Sequence, residues 1–185
     1  MNISKIEKSI AFVMACIFLS SCVLSMQPLG EENPLPTDSA LIGSWKLTND
    51  GDLSYLHIGN SGGSIEVVSV DIRKDGMIKT ETLKAISTEL NGLNYLSLCV
   101  DDGSGKKYLF LKYKIEEGKR LKFWSADQLL FREALMQGRL QGINNDKSIV
   151  PNVLLSANQS ELREFVVKND ARIFKEELST FDRVE

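Results

Sequence analysis

The 185-residue sequence predicts a mainly β domain of the α+β kind: an antiparallel meander of about seven or eight strands, forming a barrel or a sandwich, with two short C-terminal helices. Three observations lead there. Tight-turn signals recur along the middle of the chain: Asn49-Asp50-Gly51, Gly59 to Gly63, Lys74-Asp75-Gly76, Asn91-Gly92, Asp101-Asp102-Gly103 and Glu116-Glu117-Gly118. Asp-Gly and Asn-Gly pairs suit the positive φ angles of tight hairpins. The stretches between them are rich in Val, Ile, Leu, Tyr and Thr. After residue 126 the apolar spacing changes to that of helices. A composition 43% hydrophobic and 25% charged with net charge −3 excludes a disordered or multi-span membrane chain. The absence of a basic run excludes a nucleic-acid-binding face.

The predicted strands are 42–48, 53–58, 64–73, 77–89, 94–100, 107–116 and 120–125. In 107–116, Leu109, Leu111, Tyr113 and Ile115 share one face, and the other mixes Tyr108 and Phe110 with Lys112, Lys114 and Glu116. In 64–73, Val68, Val70 and Ile72 alternate with Ser69, Asp71 and Arg73. The run Asn94 to Val100 is more continuously apolar and suits burial on both faces. The β-branched density of 77–89 favours a strand, with a bulge or bend near Lys84. Asp127 then opens a helix over 128–137, with Leu130, Phe131, Ala134 and Leu135 on its apolar stripe and Gly138 at its end. Residues 139–148 read as a loop. Residues 149–155 form a short strand that Pro151 pushes to an edge. Ser156 and Gln159 make a capping-box pattern for a second helix to about Lys168, with Asn169 as its C-terminal cap, and the charged tail from Lys175 frays.

The first thirty residues carry a different message. Lys5 and Lys8 precede an uncharged stretch, Ile10 to Leu19, that is too short for a spanning helix of roughly 20 residues. A basic start, a short apolar stretch and small residues make a secretory signal. Its end, Leu19-Ser20-Ser21-Cys22, resembles the lipobox of bacterial lipoproteins. That resemblance implies a signal peptide over 1–21, cleavage before Cys22, and a diacylglyceryl (palmitate-type) modification of the Cys22 thiol. A competing box at Val13 to Cys16 leaves an apolar stretch of about six residues, below the usual 7–15. Two or more acyl chains anchor a protein stably without a transmembrane segment. Val23 follows the cysteine instead of the Asp that, in enterobacterial lipoproteins, retains a protein at the inner membrane, so the resemblance implies the outer membrane. Residues 22–40, with Pro28, Pro34 and Pro36 and no apolar period, read as an extended lipidated tether, and 41–185 as the globular domain. Cys99 then has no intramolecular cysteine partner and reads as a small apolar residue in a strand.

Little in the sequence points to chemistry. His57 is the single histidine, sharing a strand face with Leu53 and Tyr55. The carboxylate pairs Asp101-Asp102 and Glu116-Glu117 fall in turns, where solvated roles are expected. No catalytic residue, metal site or cofactor is expected, and the chain does not read as an enzyme. Gly43-Ser44-Trp45 is similar to the G-x-W at the start of the first strand in lipocalins. There the Trp closes one barrel end against a basic residue from late in the chain, a part open here to Arg132 or Arg120. The candidate ligand-binding residues are Trp45, Tyr55, His57, Tyr113 and Trp124. The expected function is a lipid-anchored envelope binding protein, its partner the membrane through the lipid on Cys22, holding a small hydrophobic ligand in a lipocalin-like β domain. The alternative is a structural or assembly lipoprotein acting on an envelope protein through the edge strand at 149–155 and outward Tyr108 and Phe110.

Overall fold

The computed structural model describes residues 23–31, 38–49, 52–61, 64–101, 103, 105–145 and 152–184. Among them the chain forms β1 (Val23–Ser25), a 3-10 turn (Ser39–Leu41), β2 (Gly43–Asn49), β3 (Asp52–Ser61), β4 (Ser64–Ile72), β5 (Ile78–Leu90), β6 (Leu93–Asp101), β7 (Lys106–Glu116) and β8 (Arg120–Ser125). Helix α1 (Gln128–Met136), β9 (Gly142–Asn145), β10 (Asn152–Leu155), α2 (Gln159–Ile173) and β11 (Glu177–Arg183) follow.

Eight strands close an antiparallel barrel in the order β6-β5-β4-β3-β2-β11-β8-β7, with β6 also pairing β7. The choice left open between barrel and sandwich therefore falls to the barrel, which has no exposed edge. A ring of this size is just wide enough for side chains to fill. Trp45, Leu56, Val67, Leu98, Leu111, Tyr113, Phe123 and Phe181 do fill it. A second core lies outside the wall, where Tyr95, Tyr108 and Phe110 meet Phe131 of α1 and Leu162, Phe165 and Val166 of α2. β6 has one face in each core, which is why apolar residues fall on both of its faces. Tyr108 and Phe110 are therefore not a docking surface: both are buried beneath the helical layer. Cys99 packs, half-buried, against the same outer core.

Five strands differ from the sequence expectation. The tether does not hold over 23–31. Val23 to Ser25 pairs in parallel with β10 and antiparallel with β7, and Val23, Ser25 and Leu29 are buried. Gln159 Nε2 donates to the Pro28 and Gly30 carbonyls, and Arg163 Nε to the Leu29 carbonyl. Gly30 lies so close to the wall that a Cβ there would sit 1.9 Å from Thr88 Oγ1. The expected loop 139–148 contains β9, and β10 lies between β1 and β9. The described part of the expected edge strand 149–155 is thus interior to its sheet; 149–151 lie outside the described residues. The tail does not fray either: β11 slots between β2 and β8 and completes the ring, with Phe181 buried inside. β5 runs through Lys84 with no register shift, so the expected bulge is absent.

Both helices have local causes. Asp127 caps α1 by accepting from Leu129 N at 2.8 Å, and Gly138, at φ +68°, ends its last turn. α2 is capped by Asn158, whose Oδ1 accepts from Glu161 N at 3.0 Å, not by Ser156; it runs past Asn169, whose Nδ2 donates to the Phe165 carbonyl. Asp170 ties α2 to the wall. Its carboxylate accepts from Tyr95 Oη at 2.7 Å and pairs with Lys112 Nζ at 2.5 Å.

Two tyrosines make the fold base-sensitive. Burial pushes the Tyr113 hydroxyl from 10.0 up to about 12, opposed by its hydrogen bond with Ser87. Burial, then Asp170, raise that of Tyr95 as well. Below pH 10 both groups are protonated, folded or unfolded, so their contribution is intact. Above it the unfolded chain ionises first, and stability falls as pH rises from 10 towards 12. Urea titrations between pH 9 and 12 are expected to show that decline, with a shallower slope in Tyr113→Phe; an identical slope would contradict the assignment.

Candidate functional site

The meander puts alternate residues of each strand inside the barrel, and this phase decides which polar groups enter it. On β3 the inward set is Ser54, Leu56 and Ile58, which turns Tyr55 and His57 outward. On β4 the inward face is Ile65, Val67, Ser69 and Asp71, while Val68, Val70 and Ile72 lie half-buried on the outer face. A register shift against β8 between Glu177 and Ser179 lets two successive β11 residues, Leu178 and Ser179, line the same space.

These residues surround a cavity of about 40 Å³ inside the barrel. Its deeper wall is apolar, with Ile58, Val67, Leu98 and Phe123, and its other end is polar. There Ser54 Oγ donates to Asp71 Oδ1 at 2.5 Å, and Asp71 is only 6% exposed. The buried Ser69 and Ser179 hydroxyl oxygens beside it have no hydrogen-bond partner in the structure. A buried hydroxyl left unpaired costs about 1–3 kcal/mol, so this end is prepared for a water or a ligand atom. The carboxylate accepts only, so it favours a hydroxyl or ammonium donor and repels another carboxylate. The cavity takes a few heavy atoms: a buried water needs roughly 10–15 Å³, whereas a pocket enclosing a whole drug-sized ligand has about 300–1,000 Å³.

The opposite end is shut by Trp45. Its ring is fully buried, and Nε1 donates to the Leu41 carbonyl at 3.0 Å. Arg183 from β11 lies over the ring, its guanidinium carbon 4.5 Å from the centroid, and donates to the carbonyls of Ala40, Ile42 and Gly118. The late basic partner is thus Arg183 and neither Arg132 nor Arg120. Arg132 belongs to α1, and Arg120 pairs with Glu116 at 3.1 Å. Gly43 is needed there: its φ is +144°, and a Cβ would lie 2.9 Å from the Arg183 guanidinium.

The five candidate ligand residues are not brought together. Trp45 and Tyr113 are inside and serve as filling. Tyr55 and His57 stack on the outer surface at 6.3 Å, with His57 Nδ1 2.8 Å from Ser44 Oγ. Trp124 packs against the outer core. Ser54, Ser69, Asp71 and Ser179 were missed because small polar residues in a strand read as its wet face; the signal available was Ser54, in phase with Leu56 and Ile58. Cys22 and the signal segment 1–21 lie outside the described residues. Among the described residues there is no group of three or more His, Cys, Asp or Glu placed to hold a metal, and no helix long and apolar enough to cross a membrane. A second depression, of about 440 Å³, is open to solvent between Gln27, Lys106 and Gln159. No family model matches the chain, and neither curated proteins nor solved structures show a significant likeness to it.

Proposed function

We propose that this chain is a lipid-anchored protein of the bacterial cell envelope, held at the outer membrane through Cys22, whose barrel binds a short amphiphile at its open end. The lipobox pattern Leu19 to Cys22 supports the anchoring. The Trp45–Arg183 closure supports a lipocalin-like division into a shut end and an open end. The single observation behind the ligand is the polar end of the cavity, where Asp71 and two unpaired serine hydroxyls face an apolar slot. A ligand there has its apolar end toward Ile58 and Val67 and its hydroxyl or amine at Asp71. The 40 Å³ space admits only that portion, so the remainder stays at the mouth.

Competition against a hydrophobic fluorophore tests this. Alkyl alcohols or amines of medium chain length are expected to displace it saturably, fatty acids of equal length to compete at least tenfold less well, and Asp71→Asn to narrow that gap. Absence of saturable binding, or a preference for the acids, overturns the ligand reading.

A second reading, action through protein contacts, rests on α1. Its Leu129 and Met136, two turns apart, are 68% and 82% exposed. Crosslinking from these positions in cells captures a specific partner if that reading holds.

A further inference from the structure

We infer that the open end of the barrel is the membrane-facing side of the protein, its rim seated in the bilayer surface. The inference rests on the lipidated Cys22 of the preceding section. Four observations lead to it.

The first is the absence of slack. Val23 is 2% exposed and hydrogen-bonded into the sheet. Consecutive Cα atoms are about 3.8 Å apart, so a lipid on Cys22 sits at the edge of the folded body. The domain cannot tumble at the end of a linker; one side of it must meet the lipid.

The second is the direction in which β1 leads. β1 runs antiparallel to β7, from beside Leu109 toward the β7 start, where Ser25 pairs with Tyr108. The β7 start, the end of β2 with the start of β3, the β4–β5 connection and the β11 start all lie at the barrel end opposite Trp45. The strand after the anchor therefore ends at the open rim.

The third is the distribution of apolar surface. Met26, just after β1, is 54% exposed; Met77 and Ile78, at the β4–β5 hairpin, are 55% and 64% exposed. Ile143 on β9 is 65% exposed. All four surround the open end. Among the described residues the other exposed large apolar side chains are Val184, at 41%, by the shut end, and Leu129 and Met136 on α1.

The fourth is continuity with the barrel interior. Leu109, Leu24, Leu154 and Ile143 are in register across β7, β1, β10 and β9, so they share one face. Leu109 belongs to the barrel core, Leu24 and Leu154 are half-buried, and Ile143 is exposed. The inner face of the barrel thus splays outward into an open apolar row on the strands that follow the anchor. Charges of both signs are interleaved at this rim, with Asp75 beside Lys74 and Lys79 paired with Glu81, so apolar contact and not net charge selects the lipid. A mouth turned to the bilayer also gives an amphiphile a path from lipid to cavity without crossing water.

The test uses the full lipidated protein in phosphatidylethanolamine–phosphatidylglycerol vesicles, in a Cys99→Ser background, with a nitroxide at Ile143→Cys, Ile78→Cys or, at the shut end, Lys114→Cys. The ratio of oxygen to nickel-chelate accessibility is expected to be severalfold higher at positions 143 and 78 than at 114. Equal, water-like ratios at all three, on a sample whose intact mass carries the lipid, overturn the membrane face and leave the anchor standing. A mass without lipid overturns the anchor and this inference together. Shielding at 143 that persists without vesicles, with a doubled molar mass, makes the rim a contact between two copies and overturns the inference alone.

Discussion

Trp45→Ala is expected to remove about 3–5 kcal/mol of folding stability, the usual cost of deleting a fully buried aromatic and leaving its cavity. The position is more exacting than an ordinary core site. The ring fills the shut end of the barrel, its N–H satisfies the Leu41 carbonyl, and its face supports the Arg183 guanidinium that gathers three backbone carbonyls. A domain with a total stability of about 5–15 kcal/mol does not lose that much without a visible shift. The urea midpoint should fall sharply in Trp45→Ala. In Trp45→Phe it should fall far less, because the ring face remains and one hydrogen bond worth about 1 kcal/mol is lost. A midpoint in Trp45→Ala within experimental error of the parent protein would show that the shut end does not hold the barrel together.

Asp170→Ala is expected to cost about 3 kcal/mol, because it leaves the Lys112 ammonium, with only 19% of its side chain exposed, facing the wall without its carboxylate. Tyr95 loses its acceptor in the same change. Most of the cost is the stranded charge, so Lys112→Met with Asp170→Leu should recover a large part of it. A double-mutant cycle read by chemical denaturation measures the coupling. If the two single changes and the double change are simply additive, the contact does not fasten α2 to the barrel.

The seven central strands were legible because alternation and turn chemistry agree there. In the described turns from β4 to β8 the positive φ falls on Gly76, Asn91, Gly92, Gly103 and Gly118, as the turn signals require, and on Glu117 at +51° as the exception. β1 and β9 were not legible, because three or four residues are too few to show a period; β1 is a strand only because β7 leaves β8 beyond Leu111 and offers its free edge to Leu24 and Ser25. β11 was hidden by charge: in Glu177 to Arg183 only Phe181 is buried, and the rest of its stability comes from pairing on both sides. Helix α2 was expected in its place but ended about a turn early, at Lys168 instead of Ile173, and was given the wrong N-terminal cap, because Gln159 spends its amide on the Pro28 and Gly30 carbonyls, contacts distant in sequence. Of the site, Trp45 was readable as a plug. Arg183 was not, since nothing near it in sequence marks it as the residue that returns to the first barrel strand. Asp71 was hidden by phase: Val68, Val70 and Ile72 look like the core face of β4, yet the sheet turns Ser69 and Asp71 inward.

The most direct test of the account is the mass of the N-terminal peptide of the protein purified from its native host. The account predicts a chain beginning at Cys22 with a diacylglyceryl thioether on that cysteine. A chain that keeps residues 1–21, or one that begins elsewhere with an unmodified Cys22 thiol, would contradict it.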